Sequence, residues 1–158
     1  MPPRYAARTE VPESKSRTEI EQTLTRFGAT AFAYGWSADH ARAQVMFEMA
    51  GRRMRFEIPF PDRSAREFTH DRANRRRTEA GMRAAYDQEL RRLWRSLALV
   101  IKAKLEAVAT GIVSMEEEFL SHVVLADNRT VGQWVEPQLA AVYGRGDMPA
   151  LLPGSGGD

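Results

Sequence analysis

Apolar and polar residues alternate through three successive segments between residues 30 and 60. Because neighbouring side chains of a strand point to opposite faces of a sheet, each segment indicates a half-buried strand. We therefore predict strands over residues 30–36, 41–49 and 52–60. Their shared apolar face comprises Phe32, Tyr34, Trp36, Ala43, Val45, Phe47, Met49, Met54, Phe56, Ile58 and Phe60.

The turns between these segments predict the register of the strands. A two-residue loop at Ala50 and Gly51 keeps the apolar residues of both neighbouring strands on one face, whereas a slip of one residue would reverse one strand. The pairs that it predicts are Phe47 with Met54, Val45 with Phe56, Ala43 with Ile58 and, on the polar face, Glu48 with Arg53. A four-residue turn over 37–40 then predicts Phe32 beside Val45 and Tyr34 beside Ala43.

Helical periodicity dominates the rest of the chain. The capping-box pattern at Thr18 predicts a short helix before the sheet, and similar patterns at Ser114 and Thr130 predict short helices near the C-terminus. Pro137 is expected to start its own turn or to kink the last of these. Between Thr78 and Gly111 an apolar stripe predicts one long helix, with members Met82, Tyr86, Leu90, Leu93, Trp94, Leu97, Val100, Ile101, Leu105 and Val108.

The predicted fold class is α+β: a three-stranded antiparallel meander covered by one long helix, preceded by a short helix and followed by two or three short C-terminal helices. The expected boundaries are a disordered tail over 1–15, a single domain over 16–148 with a mobile basic loop at 61–77, and a flexible tail over 149–158. About 30 helical residues span roughly 45 Å, which is longer than the sheet. The overhang predicts contact with other helices or with a second subunit.

Several function classes lack their usual sequence signals. The chain has no cysteine, so disulfides and cysteine-bound zinc are excluded, and no apolar run approaches the roughly 20 residues of a membrane span. Because no secretory signal is present, we expect a cytoplasmic protein.

The three histidines are far apart, and Glu116, Glu117 and Glu118 point in different directions along a helix, so neither a metal nor another cofactor is predicted. No phosphate loop or nucleophile motif is present, and a non-enzymatic protein is the expectation, with an enzyme of unrecognised site as an open alternative.

The charge is uneven along the chain. Residues 52–104 hold 15 Lys and Arg against 7 Asp and Glu, a net +8, whereas residues 105–158 hold 2 against 8, a net −6. Guanidinium groups pair bidentately with phosphates, so this pattern predicts contacts with a nucleic-acid backbone of low sequence specificity, with DNA favoured over RNA. The candidate residues are Arg53, Arg55, Arg72, Arg75, Arg76, Arg77, Arg91, Arg92 and Arg95.

Two other interpretations of this pattern stay open. Arginine richness with heavy alanine use is also what a GC-rich genome produces, and a charged loop and helix face are also typical of a solvated surface. From a different functional class, the chain fits a protein-interaction module, an assembly factor or an inhibitor of a host protein. Such a module would dock through the long helix and the acidic C-terminal helices.

The segment RRLWRSLALVIKAKLEAVATG (residues 91–111) and the strings SMEEEFL, RTVGQWVEPQL and DMPALLPG within 114–153 resemble a family of small, functionally uncharacterised proteins of GC-rich bacteria and their phages. The resemblance implies a phage or mobile-element setting and no particular activity. By topology alone, the order helix, meander, helix also resembles double-stranded RNA-binding domains and the core of recombination annealing proteins.

Overall fold

The computed structural model describes the backbone of residues 6–37, 39 and 41–146, with side chains from residue 14 onward. The predicted α+β class is confirmed. The elements in chain order are helix α1 (Ala6–Arg26), strands β1 (Ala31–Trp36), β2 (Arg42–Met49) and β3 (Arg52–Pro59), and helices α2 (Arg66–Thr69), α3 (Glu79–Ala109), α4 (Met115–Phe119) and α5 (Val131–Arg145). A 3-10 helix over Leu120–His122 follows α4.

The β2–β3 hairpin has the register that its turn predicts. Ala50 and Gly51 both adopt left-handed backbone conformations, with φ of 51° and 71°, and the tight turn they form matches the twist of the two strands. All four predicted cross-strand pairs are observed: Ala43 with Ile58, Val45 with Phe56, Phe47 with Met54 and Glu48 with Arg53.

The predicted register between β1 and β2 is wrong by two residues. Phe32 pairs with Phe47 and Tyr34 pairs with Val45, because Trp36 pairs with Ala43 and six residues, not four, separate these two paired positions. The side chain of Ser37 accepts a hydrogen bond from the Arg42 amide at 3.0 Å. A carboxylate oxygen of Asp39 accepts one from the Ala41 amide at 3.0 Å. The shift is even, so the apolar residues stay on the predicted face. Of the predicted turn residues, Ala38 and His40 lie outside the described residues.

The apolar face of the sheet packs against α1 and α3. The fully buried side chains include Ile20 and Leu24 from α1 and Trp94, Ile101 and Leu105 from α3. Two predicted core members are misplaced. Val100 is 44% exposed and Trp36 is 42% exposed, because Val100 lies on the outer side of α3 and Trp36 at the end of the edge strand β1. Trp36 instead contacts the ring of Phe60, with ring centroids 5.6 Å apart.

Helix α1 begins at Ala6 and not at the predicted capping box. The Thr18 hydroxyl donates to the carbonyl of Ser14 at 2.9 Å, a bond made inside a helix rather than at its start. Residues 6–15, predicted to belong to a disordered tail, are therefore helical. Residues 1–5 and the predicted tail over 149–158 lie outside the described residues.

The other predicted helix starts are confirmed. Thr78 caps α3 by accepting from the Gly81 amide. Complete capping boxes at Ser114 and Thr130 open α4 and α5. Pro137 is contained within α5, which continues through Arg145, so Pro137 does not begin a separate turn.

The segment between α4 and α5 covers the edge and part of the polar face of β3. Val123 forms an isolated bridge with Met54, and the Val124 amide donates to the carbonyl of Arg53 at 2.8 Å. Phe119 is completely buried between Phe47 and Phe56. α5 then packs against the 3-10 helix, and none of its 15 residues is buried.

The left-handed conformation of Ala50 generates a prediction. An alanine side chain is strained at this φ, whereas asparagine adopts it readily. We expect Ala50→Asn to raise the free energy of unfolding by about 1 kcal/mol in urea denaturation, and Ala50→Val, which adds a β-branched side chain at the same exposed position, to lower it. Equal stabilities for the two variants would contradict the turn.

Candidate nucleic-acid interface

The basic segment after the sheet is anchored to α3. Phe68 of α2 is buried against Tyr86, with ring centroids 5.2 Å apart, and against Leu90. The Tyr86 hydroxyl donates to the carbonyl of Pro61 at 3.2 Å. These contacts tie α2 and the residues before it to the N-terminal half of the long helix.

The residues after α2 form a turn organised by one carboxylate. Asp71 accepts hydrogen bonds from the amides of Ala73 and Arg75, each at 2.9 Å, and from Nε of Arg75 at 2.9 Å. These bonds, the Arg75 amide first, hold the pKa of Asp71 below its ordinary value. Around the turn, His70 forms a bridge with Arg76. The segment predicted as a mobile basic loop contains a short helix and a hydrogen-bonded turn, because aspartate side chains satisfy turn amides in a way that periodicity does not reveal. We call residues 66–77 the arginine turn.

The arginine turn presents its four predicted side chains differently. Arg72 and Arg76 are exposed, and neither has an ion-pair partner within the described part of the chain. Arg75 is paired with Asp71 at 2.9 Å. Arg77 is half-buried, and its Nε donates to the carbonyl of His70 at 3.1 Å. Only part of the predicted set is therefore available to a ligand without breaking a contact.

Arg66 belongs to the same surface and was missed at the sequence level. Its guanidinium donates to the side-chain oxygen of Asn74, whose backbone is left-handed at φ 62°. Asn74 occupies a position that favours Asn or Gly, and this is the one sequence signal that could have indicated an ordered turn beside α2.

The acidic side chains of this region balance only half of its positive charge. Residues 61–77 hold six arginines and three acids. Asp62 and Asp71 both accept backbone amides, at 2.8 Å and 2.9 Å, and are committed to turns. The third acid, Glu67, lies near Arg92 and raises the pKa of that guanidinium together with Glu89.

The arginines of α3 extend from this surface in two directions. Arg91 and Arg95 are exposed one helical turn apart, whereas Arg92 is rotated about 100° from Arg91. Arg92 donates to both carboxylate oxygens of Glu89, and the pKa of Glu89 is lowered by these bonds. The pKa of Arg92 is raised first by Glu89 and to a smaller extent by the charge of Glu67 in α2.

Arg53 and Arg55 do not join this surface. Both lie on the polar face of the sheet, and the sheet separates them from α3. Arg53 is exposed and lies 3.6 Å from Glu48. Arg55 is only 6% exposed, so its guanidinium is not accessible to a phosphate in this structure.

Arg55 is instead the centre of a buried network that holds the C-terminal segment on the sheet. One terminal nitrogen donates to the carbonyl of Asn128 at 2.9 Å, and the other donates to the side chain of Gln133 at 3.0 Å. Its Nε lies 3.1 Å from a carboxylate oxygen of Glu57, an ion pair without hydrogen-bond geometry. Gln133 also accepts the Thr130 amide within the capping box of α5. The guanidinium fork thus joins β3 to the start of α5.

Across residues 6–37, 39 and 41–146, no three His, Cys, Asp or Glu side chains come together as metal ligands. Within those same ranges, no helix combines the length and the apolar content needed to cross a bilayer.

Comparison with known proteins finds no matching family model, no matching curated protein and no matching solved structure. The phage or mobile-element setting that the sequence resemblance implies therefore stays a prediction.

Because Arg55 is buried, we expect its substitution to lower the stability of the fold and to have no direct effect on nucleic-acid binding. Removal of the buried guanidinium deprives the Asn128 carbonyl and Gln133 of a donor, whereas Glu57 keeps its pair with Arg42 at 2.9 Å. We therefore expect Arg55→Ala to lower the free energy of unfolding by about 2 kcal/mol in urea denaturation. Arg53→Ala, at the exposed neighbouring position on the same face, is the matched control and should change it by less than about 0.5 kcal/mol. A fully stable Arg55→Ala variant would refute the structural role.

His122 generates a pH prediction. Its ring stacks on Phe56, with centroids 3.8 Å apart. Burial, and then the charge of Lys104, lower its pKa below the ordinary value of 6.5, whereas a backbone hydrogen bond at Arg55 and the charge of Glu118 act in the opposite direction. As the pH falls, the unfolded chain therefore binds a proton at His122 before the folded chain does. The stabilisation that comes from keeping this ring neutral is fully present above about pH 6.5 and is lost as the pH falls below that value.

We expect the free energy of unfolding of the wild type to fall between about pH 7 and pH 5.5, and His122→Phe to show a smaller fall because it keeps a stacking ring without a titrating group. Urea denaturation across this pH range measures both slopes. Identical slopes would show that His122 does not contribute.

Proposed function

We propose that this protein is a non-enzymatic, DNA-associated protein that contacts the phosphate backbone through its arginine turn, with little sequence specificity. The observation that carries the proposal is the exposure of Arg72 and Arg76 on an ordered turn whose own aspartate is committed to backbone amides. Phosphate oxygens are strong acceptors for guanidinium groups. The proposed partner is DNA before RNA, and the proposed location is the cytoplasm, in a phage or mobile-element setting.

The order of the turn favours binding. A flexible loop loses backbone entropy when it binds, at a cost of about 1–2 kcal/mol for each residue that becomes fixed. In this protein Asp71 and the His70–Arg76 bridge already hold the backbone. Side-chain ordering alone then opposes binding, so a small number of phosphate contacts gives measurable affinity.

The surface continues from the turn onto α3. Arg66 lies beside Asn74 in the turn, and Arg92 is within electrostatic range of α2. The exchange of an Arg92–Glu89 surface pair for an Arg92–phosphate pair costs little, since exposed ion pairs contribute about 0.2–1 kcal/mol. Arg53 and Arg55 are not part of the proposed interface.

A second candidate function is docking of a protein partner on α5. A helix of this length normally depends on a buried face, yet no residue of α5 is buried, and Leu139 and Tyr143 are 52% and 90% exposed. The acidic first turn of α4 favours a basic partner segment. This surface shares no residue with the arginine turn, so variants separate the two functions.

We expect the double variant Arg72→Ala with Arg76→Ala to weaken binding to a labelled duplex and to flatten its salt dependence. The logarithmic salt slope should fall by about 2, since each phosphate contact contributes about 0.9. Fluorescence anisotropy at several salt concentrations between about 50 and 200 mM, on duplex and single strand, measures both quantities.

The matched control is Arg52→Ala with Arg145→Ala, which removes the same charge from two exposed positions far from the turn along the fold. It should keep the wild-type slope. Equal losses in both double variants would show that net charge, and not the turn, attracts the DNA. Absence of wild-type binding at the lowest salt would refute the proposal and leave α5 docking as the candidate function.

A further inference from the structure

The outward side of α3 carries a regular stripe of exposed residues. Its members are spaced alternately four and three residues apart: Arg92, Ser96, Leu99, Ala103, Glu106 and Thr110. Each of them is exposed, and at the middle Leu99 is 53% and the adjacent Val100 is 44% exposed. We call this set the outer stripe. α1 and the sheet pack against other sides of α3, so the outer stripe faces away from the core.

The spacing of the outer stripe is that of a helix that packs against another helix. Alternate steps of three and four residues keep side chains in one row, and each side chain of such a row fits between four residues of the facing helix. Ser96 and Ala103 are small and allow close approach, while Leu99 supplies the large apolar side chain between them. The stripe is apolar only at Leu99 and Ala103, and these two lie between the charges of Arg92 and Glu106.

We propose that a second copy of this chain packs antiparallel on the outer stripe, with Leu99 of each copy facing Ala103 of the other. The two-fold axis then passes level with residue 101, and Val100 meets its own copy beside the axis. A two-fold contact of this kind is closed, because both copies use the same surface. Self-association does not depend on binding of nucleic acid.

The charges of Arg92 and Glu106 favour a second copy of this chain as the partner on the outer stripe, and they favour the antiparallel orientation. Around the axis at residue 101, Glu106 of one copy faces Ser96 of the other, in a space bordered by Arg92 and Arg95. The carboxylate therefore approaches two guanidinium groups at each end of the contact. A parallel pair would instead align Arg92 with Arg92 and Glu106 with Glu106, which is repulsive.

The present partners of these charges do not prevent the contact. Glu106 pairs with Arg26 at 3.1 Å and Arg92 pairs with Glu89, but Glu106, Arg26 and Arg92 are at least half exposed. Exposed pairs of this kind contribute little and rearrange readily. At the edge of the contact, Lys102 approaches Lys102 of the other copy, which carries the same charge. The long lysine side chains extend into water at this position.

Charge substitutions at the centre of the outer stripe test the contact and its orientation. We expect the full-length wild type to sediment at twice the chain mass of 17.8 kDa at a concentration on the order of 100 µM, without nucleic acid. Leu99→Glu and Ala103→Lys should each give monomers. The double variant should return to a dimer, because the introduced carboxylate of each copy faces the introduced ammonium of the other.

Other outcomes would refute the proposed contact or its orientation. A wild-type monomer, or a dimer unaffected by Leu99→Glu, refutes the contact. A monomeric double variant refutes the antiparallel orientation, because a parallel pair aligns like charges. Ile112→Glu and Leu139→Glu are matched controls at exposed apolar positions outside the stripe and should remain dimeric. Loss of the dimer in Leu139→Glu alone would place the interface on α5. Circular dichroism confirms that each variant is folded.

Discussion

Both faces of the sheet depend on the register that the turn at Ala50 and Gly51 imposes on β2 and β3. With two residues in the turn, Val45 faces Phe56 and Phe47 faces Met54, and the core against α1 and α3 follows. A register shifted by one residue would turn these side chains into solvent and bring arginine and glutamate into the core, so burial and turn geometry reinforce each other.

The same register places Arg55 on the opposite face, where it can meet the C-terminal segment. Its partners Asn128 and Gln133 are more than 70 residues later in the chain. The network that they form closes the free edge of β3 through Val124, and it orients the start of α5. A guanidinium group suits this position because its planar fork serves several acceptors at once, and a buried lysine could not do so.

What could be predicted from the sequence was local periodicity and capping, and what could not came from side-chain hydrogen bonds within turns and from distant contacts. The strand segments, the β2–β3 pairs and the caps at Thr78, Ser114 and Thr130 follow from residues close together in the chain. The register of β1 differed because Ser37 and Asp39 organise a longer turn than periodicity indicates.

The candidate site shows the same division. The sequence pattern of a strand is the same whether an arginine on its polar face is exposed to solvent, as Arg53 is, or buried beneath a later segment, as Arg55 is. The arginine turn was located correctly as a basic segment, but its order depends on Asp71, whose role appears only once the chain bends back on itself.

The arginine turn and the outer stripe lie on one helix, and this determines how two copies would present them. The turn joins α3 at its N-terminus, 22 residues from the level of residue 101, which is a distance of about 33 Å along the helix. Antiparallel pairing therefore places the two turns roughly 65 Å apart at opposite ends of the dimer. Only a duplex of about 20 base pairs or more reaches both at 3.4 Å per base pair. Each turn offers few phosphate contacts, so on the proposed dimer simultaneous engagement of both turns with a long duplex would make the second contact intramolecular and raise the affinity.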